Sequence, residues 1–221
     1  MAWPRNLVMV RHAQSRGNIL TADERALSGM SSDRYPLTPH GRMQAAITGE
    51  YLKEKYNGFR VYYVSYYTRS RETMEVMFPD KPHYEDPRLA EATRGIWHTM
   101  TAAQVEERYP GETERKKLEG LYHYRPWGGE NWPDIELRIH SFLGTLSRDY
   151  EDQDVVMVVH GHWLILFQRL IHRFSIAEAM ERYKRSSFNN ASITTYRGEN
   201  QNGKSRLVLA EENFTPWESQ L

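Results

Sequence analysis

The chain has 221 residues, and its 29 basic and 29 acidic side chains leave no formal net charge at neutral pH. Without net charge there is no overall field that favours nucleic acid or a membrane surface, so neither is predicted as a partner. The absence of cysteine excludes disulfides, a thiolate nucleophile and thiolate metal ligands. The N-terminus lacks the apolar stretch of a signal peptide, and we expect a cytoplasmic protein. The length favours a single domain over 1–221.

Apolar strands and amphipathic helices alternate in the first part of the chain. Four apolar residues over 7–10 predict a buried strand, and a helix is expected to begin near Ser15. Thr38-Pro39 is typical of a helix start, because a hydroxyl N-cap precedes a proline at the first helical position. The following stretches predict a strand over 61–65, a helix over 68–78 and a short strand over 83–85.

The stretch 89–132 is the least regular part of the sequence. Thr101 opens a capping-box pattern, which predicts a short helix that ends before Pro110. Farther along, several aromatic residues follow neither strand nor helix spacing: Tyr122, Tyr124, Trp127 and Trp132. They are either the packed core of this stretch or an aromatic wall for a ligand. Because long ordered insertions are often lids or binding elements, we expect 89–132 to lie over the carboxyl edge of a sheet.

The last third of the chain continues the alternation. An amphipathic helix is predicted through 135–146, and the fully apolar stretch 155–159 suits a strand of a parallel sheet covered on both faces. Helices are expected after His162 and Ser175, followed by a hairpin built from 192–196 and 206–210. The whole pattern predicts an α/β fold, a three-layer α/β/α sandwich with a mostly parallel sheet.

Cationic or imidazole side chains follow three of the predicted strands. Arg11 and His12 come after the first, Arg69 lies four residues beyond the second, and His160 follows the apolar strand. Any one of them alone is more often a structural or solvated residue, but the coincidence at three strand ends is harder to attribute to chance. Because parallel strands end at one edge, these groups are expected to converge on a pocket for a phosphate dianion.

Phosphoryl transfer in such a pocket needs a nucleophile and a proton donor. A neutral imidazole serves as a nucleophile, and Glu91 is the best of several acids in the irregular stretch. The bulk of Gly95-Ile96-Trp97 beside it is expected to shield the carboxyl and raise its pKa. The His160-x-His162 spacing imitates a metal pair, but no carboxylates cluster near it in the sequence, so no metal or other cofactor is predicted.

Six motifs resemble, in order, those of the histidine phosphatase superfamily, which includes the cofactor-dependent phosphoglycerate mutases. Arg11-His12-Ala13-Gln14-Ser15-x-x-Asn18 is similar to its Arg-His-Gly-Glu-Ser/Thr-x-x-Asn signature. The other matches are Tyr35-Pro36-Leu37-Thr38-x-x-Gly41-x-x-Gln44-Ala45, Ser65-x-x-x-Arg69-x-x-x-Thr73, Leu89-x-Glu91-x-x-x-Gly95-x-Trp97, Gly128-Gly129-Glu130-x-x-x-Asp134-x-x-x-Arg138 and His160-Gly161. The stretch His123-Tyr124-Arg125-Pro126 is most similar to a phosphatase branch.

The resemblance implies roles for the matched residues. His12 is expected to be the nucleophile that becomes phosphohistidine. Glu91 is expected to protonate the leaving oxygen and then to help activate water. The residues expected to hold the phosphoryl group are Arg11, Ser15, Asn18, Arg69, His160 and the Gly161 amide.

The activity implied is metal-independent hydrolysis of a small phosphorylated metabolite through phosphohistidine. The alternatives are a cofactor-dependent phosphoglycerate mutase and a non-catalytic module that binds a phosphate ligand or a protein. Arg115-Lys116-Lys117 imitates the basic segment with which mutases bind a carboxylate, although a solvated helix face is the favoured interpretation. Arg125 is a candidate for binding a second anionic group. No feature of the sequence predicts an oligomeric state.

Three positions depart from the family pattern. Ala13 replaces a glycine, and its methyl group is expected to narrow the phosphate pocket. Gln14 replaces a common acid and is expected to remove a negative charge beside the site. His98-Thr99 replaces the Glu-Gly that commonly follows Trp97, which leaves substrate selection at that point open.

Overall fold

The computed structural model describes residues 2–185, 188–201 and 203–218. Its central sheet contains β1 (Asn6–Arg11), β2 (Val61–Val64), β3 (Tyr84–Glu85), β4 (Asp154–Val159), β5 (Ile193–Gln201) and β6 (Lys204–Phe214). The strands lie in the order β3-β2-β4-β1-β5-β6. The first four are parallel, whereas β5 is antiparallel to β1 and β6 is antiparallel to β5. The predicted α/β class with a mostly parallel sheet is confirmed.

Helices cover both faces of the sheet. The described helices are α1 (Arg16–Ile19), α2 (Ala22–Leu27), α3 (Pro39–Lys55), α4 (Thr68–Met77), α5 (Ile96–Thr99), α6 (Ala102–Arg108), α7 (Glu112–His123), α8 (Trp132–Asp149), α9 (Gly161–His172) and α10 (Ile176–Arg185). A short 3-10 helix spans Pro87–Leu89. None of the described helices combines the length and the apolar character that crossing a membrane requires.

Alternating side chains of β1 supply two separate cores. Leu7 and Met9 belong to one apolar cluster, which also contains buried residues of α8 and α9. Val8 and Val10 point to the other face and belong to a second cluster with residues of α3 and α4. This is the two-residue period expected of a strand that is buried on both faces. The two clusters fix β1 in the middle of the molecule, and the polar residues after Val10 therefore emerge at the edge of a rigid sheet.

The start of α3 lies against the chain that follows β1. The Thr38 hydroxyl accepts a hydrogen bond from the Gly41 amide at 2.9 Å, which is the predicted N-cap. A Cβ atom at Gly41 would lie only 2.0 Å from the Gln14 carbonyl oxygen, so only glycine permits this approach. The Gln14 amide also donates to Gln44 Oε1 at 3.0 Å. These contacts hold the backbone next to His12 in place.

Two of the four aromatic residues that the sequence placed outside any helix or strand lie in helices. Tyr122 lies in α7 and Trp132 begins α8, so the irregular prediction is wrong for these two. Both belong to the larger apolar cluster, and Tyr124 is also buried. Trp127 is 61% exposed. None of the four is among the described residues that line the central cavity, which supports the packed-core interpretation for three of them.

Candidate active site

The carboxyl ends of the parallel strands border a cavity of about 280 Å³. The side chains that follow β1, β2 and β4 meet there, as the strand order requires. Its lining includes seven of the eight residues predicted for the site. The eighth, His160, is fully buried and contacts the lining residue Arg69. The described lining residues are Arg11, His12, Ser15, Gly17, Asn18, Arg25, Ser32, Tyr35, Tyr67, Arg69, Glu91, Ala92, Arg94, His98, Gly161, His162, Ile165 and Tyr183.

The hydrogen bonds of His12 define its reactive nitrogen. His12 Nδ1 lies 2.8 Å from the carbonyl oxygen of Ala13, which can only accept, so Nδ1 carries the proton. Nε2 consequently carries no proton, and its lone pair accepts a hydrogen bond from Arg69 Nε at 3.1 Å. Burial lowers the pKa of His12 well below its ordinary value, and the charges of Arg69, His160 and Arg11 lower it further. The ring is therefore neutral at neutral pH.

Arg69 connects the two histidines of the site. Its Nη2 lies 3.3 Å from His160 Nδ1, while its Nη1 donates to the Ser32 carbonyl at 2.7 Å. The guanidinium also stacks over the Tyr67 ring, 4.5 Å from the centroid. Burial lowers the pKa of Arg69 to about 10, which leaves it cationic at neutral pH. A single guanidinium is thus placed to neutralise a ligand that contacts either imidazole.

His160 is held from its far side by β2. Its Nε2 lies 2.8 Å from the Ser65 hydroxyl, and because Nδ1 accepts from Arg69, Nε2 is the nitrogen that donates. Burial lowers the pKa of His160 well below its ordinary value, with Arg69 acting in the same direction. The rings of His12 and His160 are 5.1 Å apart. Two neutral imidazoles therefore lie side by side, with His12 in the cavity lining and His160 buried behind it.

Arg11 and the start of α9 provide further donors. Arg11 Nη1 donates to the Phe188 carbonyl, and its Nε is buried without a hydrogen-bond partner among the described residues. Gly161 begins α9 beside this Nε, where a Cβ would be 3.6 Å away. The N-cap side chain of His160 makes no bond to the first amides of the helix. Free N–H groups at a helix N-terminus beside a guanidinium form a favourable environment for an anion.

Ser15 and Asn18 support each other at the opposite side of the cavity. The Oδ1 atom of Asn18 accepts hydrogen bonds from the Ser15 amide and the Ser15 hydroxyl, both at 2.9 Å. The acceptor of Asn18 is therefore occupied, and its NH₂ group remains to donate to a ligand.

Glu91 lines the same cavity, and its carboxylate is stabilised by its neighbours. Oε1 accepts from the Ala92 amide at 3.1 Å and lies 3.5 Å from His162 Nδ1. Burial acts to raise the pKa of Glu91, but His162, His160 and the Ala92 amide together hold it well below its ordinary value. The prediction that bulky neighbours raise this pKa is wrong. Trp97 is turned to donate to the Tyr124 hydroxyl at 2.6 Å and does not line the cavity.

The backbone that carries Glu91 is fastened by the Gly-Glu motif. Arg138 Nη1 donates to the carbonyl oxygens of Arg88 and Ala90, both at 3.1 Å, and its Nε donates to Glu130 at 2.9 Å. The Glu130 carboxylate in turn accepts from the Thr93 amide at 3.0 Å. The sequence matched Glu130 and Arg138 to a family motif but predicted no role for them. In the structure they hold the backbone on both sides of Glu91.

One expectation about the family departures is wrong. Ala13 is fully buried in the apolar cluster with Val8 and Val10, so its methyl group packs in the core and does not narrow the pocket. The Gln14 side chain, which takes the place of an acid, accepts from the Thr38 hydroxyl at 2.7 Å and is not among the lining residues.

Arg125 and the basic segment also lie outside the cavity lining. Arg125 forms an ion pair with Asp134, and neither residue lines the cavity. Arg115 pairs with Glu112 at 2.6 Å, and Lys117 lies 3.6 Å from Glu114. The solvated-face interpretation fits both of these residues.

Several lining residues were not singled out by the sequence: Arg25, Ser32, Tyr67, Arg94 and Tyr183. Arg94 lies within the matched Glu91 segment and was the one with a usable signal. The others reach the cavity through helix packing and loop closure, which no local pattern encodes. His162 contacts Glu91, and among the described residues no three His, Asp or Glu side chains group as metal ligands.

Comparisons with known proteins agree with this geometry. Residues 7–211 match the model of the histidine phosphatase superfamily, branch 1. The phosphoglycerate mutase-like protein AT74H of Arabidopsis thaliana is 28% identical over an alignment of 195 positions that covers 79% of this chain and 68% of that protein. The 6-phosphofructo-2-kinase/fructose-2,6-bisphosphatase of Caenorhabditis elegans is 28% identical over 71% of this chain, but only 32% of its own length is covered.

A solved structure extends the likeness to the fold. The mycobacterial glucosyl-3-phosphoglycerate phosphatase complexed with VO₃ superimposes with a TM-score of 0.69 at 25% identity, covering 95% of this chain and 99% of that one. The resemblance seen in the motifs is thereby confirmed. The chain belongs to the histidine phosphatase superfamily, branch 1, and is an enzyme of that superfamily.

Proposed function

We propose that this enzyme hydrolyses phosphomonoesters of small metabolites, without a metal, through a phosphohistidine formed on His12. The observation that carries the proposal is the unprotonated His12 Nε2, which accepts a hydrogen bond from Arg69 in a cavity that Glu91 also lines. Buried donors neutralise the equatorial oxygens of a phosphoryl group, which supplies most of what phosphoryl transfer requires.

In the first step His12 Nε2 attacks phosphorus while the bond to the leaving oxygen breaks. The Arg69 Nε–H leaves the imidazole and binds a phosphoryl oxygen, and Arg11 and the first amides of α9 bind others. Glu91 must donate a proton to the leaving oxygen. A dianion beside its carboxylate raises the pKa of Glu91 by like-charge repulsion and so favours the protonated acid when substrate is bound.

In the second step water attacks the phosphohistidine, its proton passes to Glu91, and His12 is released with its lone pair restored. Glu91 must now be a carboxylate, and the neighbouring His162 stabilises that form. The same pair therefore suits both steps, because the charge of the ligand changes between them.

The cavity and the comparisons favour a phosphatase with a small substrate. A volume of about 280 Å³ is close to the lower end of the range of about 300–1,000 Å³ for small-molecule sites. The structural relative covered almost completely is named a phosphatase, although the Arabidopsis relative is named mutase-like. Arg115 and Lys117, which a mutase would use for a carboxylate, pair with glutamates. A module that only binds phosphate has no need of a neutral His12 beside an acid.

The test is a His12→Asn variant assayed on a panel of sugar phosphates, phosphoglycerates, nucleotides and phosphopeptides, with magnesium and with a chelator. We expect the wild type to hydrolyse part of the panel equally in both conditions and kcat to fall at least about a thousandfold in the variant. Rapid quenching should show an acid-labile phosphate on His12 in the wild type.

His140→Asn is the matched control, since His140 is exposed on α8. Full hydrolysis by His12→Asn, or its loss on adding the chelator, contradicts the proposal. Isomerisation of 3-phosphoglycerate faster than phosphate release establishes the mutase alternative. Inactivity on every ester together with phosphate binding establishes the non-catalytic one.

A further inference from the structure

The mouth of the cavity carries two arginines that the proposed chemistry does not use. Arg25 belongs to α2 and Arg94 precedes α5, and both line the cavity with Arg11 and Arg69. Neither residue is a fixed position of the family motifs. The inner pair, Arg11 and Arg69, already suffices to neutralise one phosphoryl dianion. The outer pair therefore has no task in the hydrolysis itself.

Packing between α2 and α5 brings the outer arginines to the same place. His98 Nε2 of α5 lies 3.2 Å from the Met30 carbonyl, and its ring meets that of Tyr35 edge-on at 6.2 Å. Arg25 is anchored by donating from Nη1 to the carbonyls of Gly17 and Leu20, at 3.0 and 2.6 Å. Its other guanidinium nitrogens remain for a ligand. The mouth is thus built from two elements that hold each other.

The backbone of Arg94 is also held. Its neighbour Thr93 donates to Glu130, and Arg94 itself forms a β-bridge with Gly129. Glycine is required at Gly129, where a Cβ would lie 2.6 Å from the Thr93 carbonyl oxygen. A side chain on a fastened backbone loses less conformational freedom when it binds a ligand.

In the part of the chain that the structure describes, no carboxylate forms an ion pair with Arg25 or Arg94. None of the ion pairs formed by the described residues includes Arg25 or Arg94, and Glu91, the acid in the cavity lining, faces His162. Glu24, next to Arg25, is used as a helix cap and accepts from the Thr21 amide at 2.7 Å. Burial and the charge of Arg94 both lower the pKa of Arg25. Like charges without a counterion repel each other, so an anion that binds between them is stabilised by both.

We infer that Arg25 and Arg94 form a subsite for a second anionic group, so that the substrate is a phosphate monoester whose alcohol part carries a carboxylate or another phosphate. This inference rests on the proposed hydrolysis, because the phosphate to be removed must occupy the inner site at His12. It replaces Arg125, which pairs with Asp134, as the residue expected to bind that second group.

The experiment compares pairs of esters that differ in the second anion. One pair is 3-phosphoglycerate and glycerol 3-phosphate, which tests a carboxylate; the other is fructose 1,6-bisphosphate and fructose 6-phosphate, which tests a phosphate. We expect the wild type to prefer the more anionic member of at least one pair by ten- to a hundredfold in kcat/KM, as one or two charge-assisted hydrogen bonds provide. The Arg25→Gln/Arg94→Gln double variant should abolish that preference and change kcat/KM for the less anionic member by less than about threefold.

Arg148→Gln is the matched control, because Arg148 is exposed and pairs with Asp149. The affinities of the same four esters for His12→Asn, measured by calorimetry, give a readout that does not need turnover. Equal affinities and equal kcat/KM within both pairs, or a preference that survives in the double variant, overturn the subsite. If the wild type hydrolyses none of the four esters but His12→Asn still binds the more anionic member of a pair more tightly, the proposed function is contradicted and the subsite is supported.

Discussion

At the scale of single residues, the site depends on the protonation of two neighbouring groups. His12 is neutral because burial and three nearby cationic or imidazole groups oppose its proton. Glu91 is a carboxylate before substrate arrives, because His162 and a backbone amide stabilise its charge. In the proposed mechanism, His12 is therefore ready to act as nucleophile before substrate binds, whereas Glu91 gains its proton only with the dianion.

We expect Glu91→Gln to slow esters with poor leaving groups far more than activated aryl phosphates, because only an alkoxide leaving group needs the proton. A loss of about a hundredfold or more in kcat for an alkyl phosphate, and less than tenfold in the phosphorylation step for a nitrophenyl phosphate, is the expected pattern. Single-turnover kinetics on both esters measure it. Glu54→Gln, exposed on α3, is the control, and equal losses on the two esters would exclude Glu91 as the acid.

The residues at the centre of the proposed phosphate site were predictable and their surroundings were not. Arg11, His12 and His160 follow strands directly, so the sheet alone determines where they meet. The environment of Glu91 depends on how α9 is rotated, since that rotation brings His162 within 3.5 Å of it. Side-chain partners of this kind, from segments 71 residues apart, leave no local pattern, and the direction of the pKa shift was accordingly mistaken.

At the scale of elements, α3 makes a very close backbone contact with the chain after β1, and this contact supports the site. The Gly41 backbone packs directly against the Gln14 carbonyl, and Thr38 and Gln44 bind the same residue. A displacement of α3 therefore moves the backbone beside His12.

Gly41→Ala should reduce both stability and activity. Its Cβ would be 2.0 Å from backbone oxygen, and backbone cannot move aside as a flexible side chain can. We expect the free energy of unfolding to fall by about 1–3 kcal/mol, together with a loss in kcat.

Urea unfolding and steady-state kinetics provide the measurement. Gly144→Ala, in α8 with no atom within 4 Å of the added Cβ, is the control and should be neutral or stabilising by about 0.5–1 kcal/mol. Unchanged stability of Gly41→Ala would show that α3 is free to shift.

Most elements could be predicted because their apolar spacing and caps are regular, as at Thr38 and Thr101. Helix α7 was anticipated only at Arg115-Lys116-Lys117, as a solvated helix face, and its extent was missed for a physical reason. Gly120 has a φ of 69° and interrupts its helical geometry, and the charged run before it has no apolar stripe. The helix is held by its contacts with the rest of the 89–132 stretch, which the sequence does not display.

At the scale of the whole molecule, a neutral chain concentrates positive charge in one cavity. The lining holds four arginines, two histidines besides His12, and the single carboxylate of Glu91. The compensating acids lie on other surfaces. A balanced total charge is thus compatible with a local positive field that attracts a small anion.

Buried neutral imidazoles make stability depend on pH. His12 and His160 both have pKa values well below 6.5 in the folded protein, whereas the unfolded chain takes up protons near 6.5. Below that pH the unfolded state binds more protons than the folded state. The contribution of these imidazoles to the free energy of unfolding is therefore fully present above about pH 6.5 and is lost as the pH falls. The expected slope is about 1.4 kcal/mol per pH unit for each imidazole that stays neutral.

Urea unfolding between pH 7.5 and 5.0 measures this slope. His12→Asn should show a shallower dependence than the wild type, and the exposed His140→Asn should keep the wild-type dependence. A His12→Asn slope as steep as that of the wild type would mean that His12 is not neutral in the folded protein.

The hydrogen bond from Arg69 to His12 Nε2 has one more consequence. While that bond exists, the Nε2 lone pair of His12 is covered, and an incoming molecule uncovers it by offering Arg69 a better acceptor. A phosphate dianion is a stronger acceptor for a guanidinium than a neutral ester or a carbonyl compound. The proposed mechanism therefore makes the reactivity of His12 conditional on the charge of the ligand.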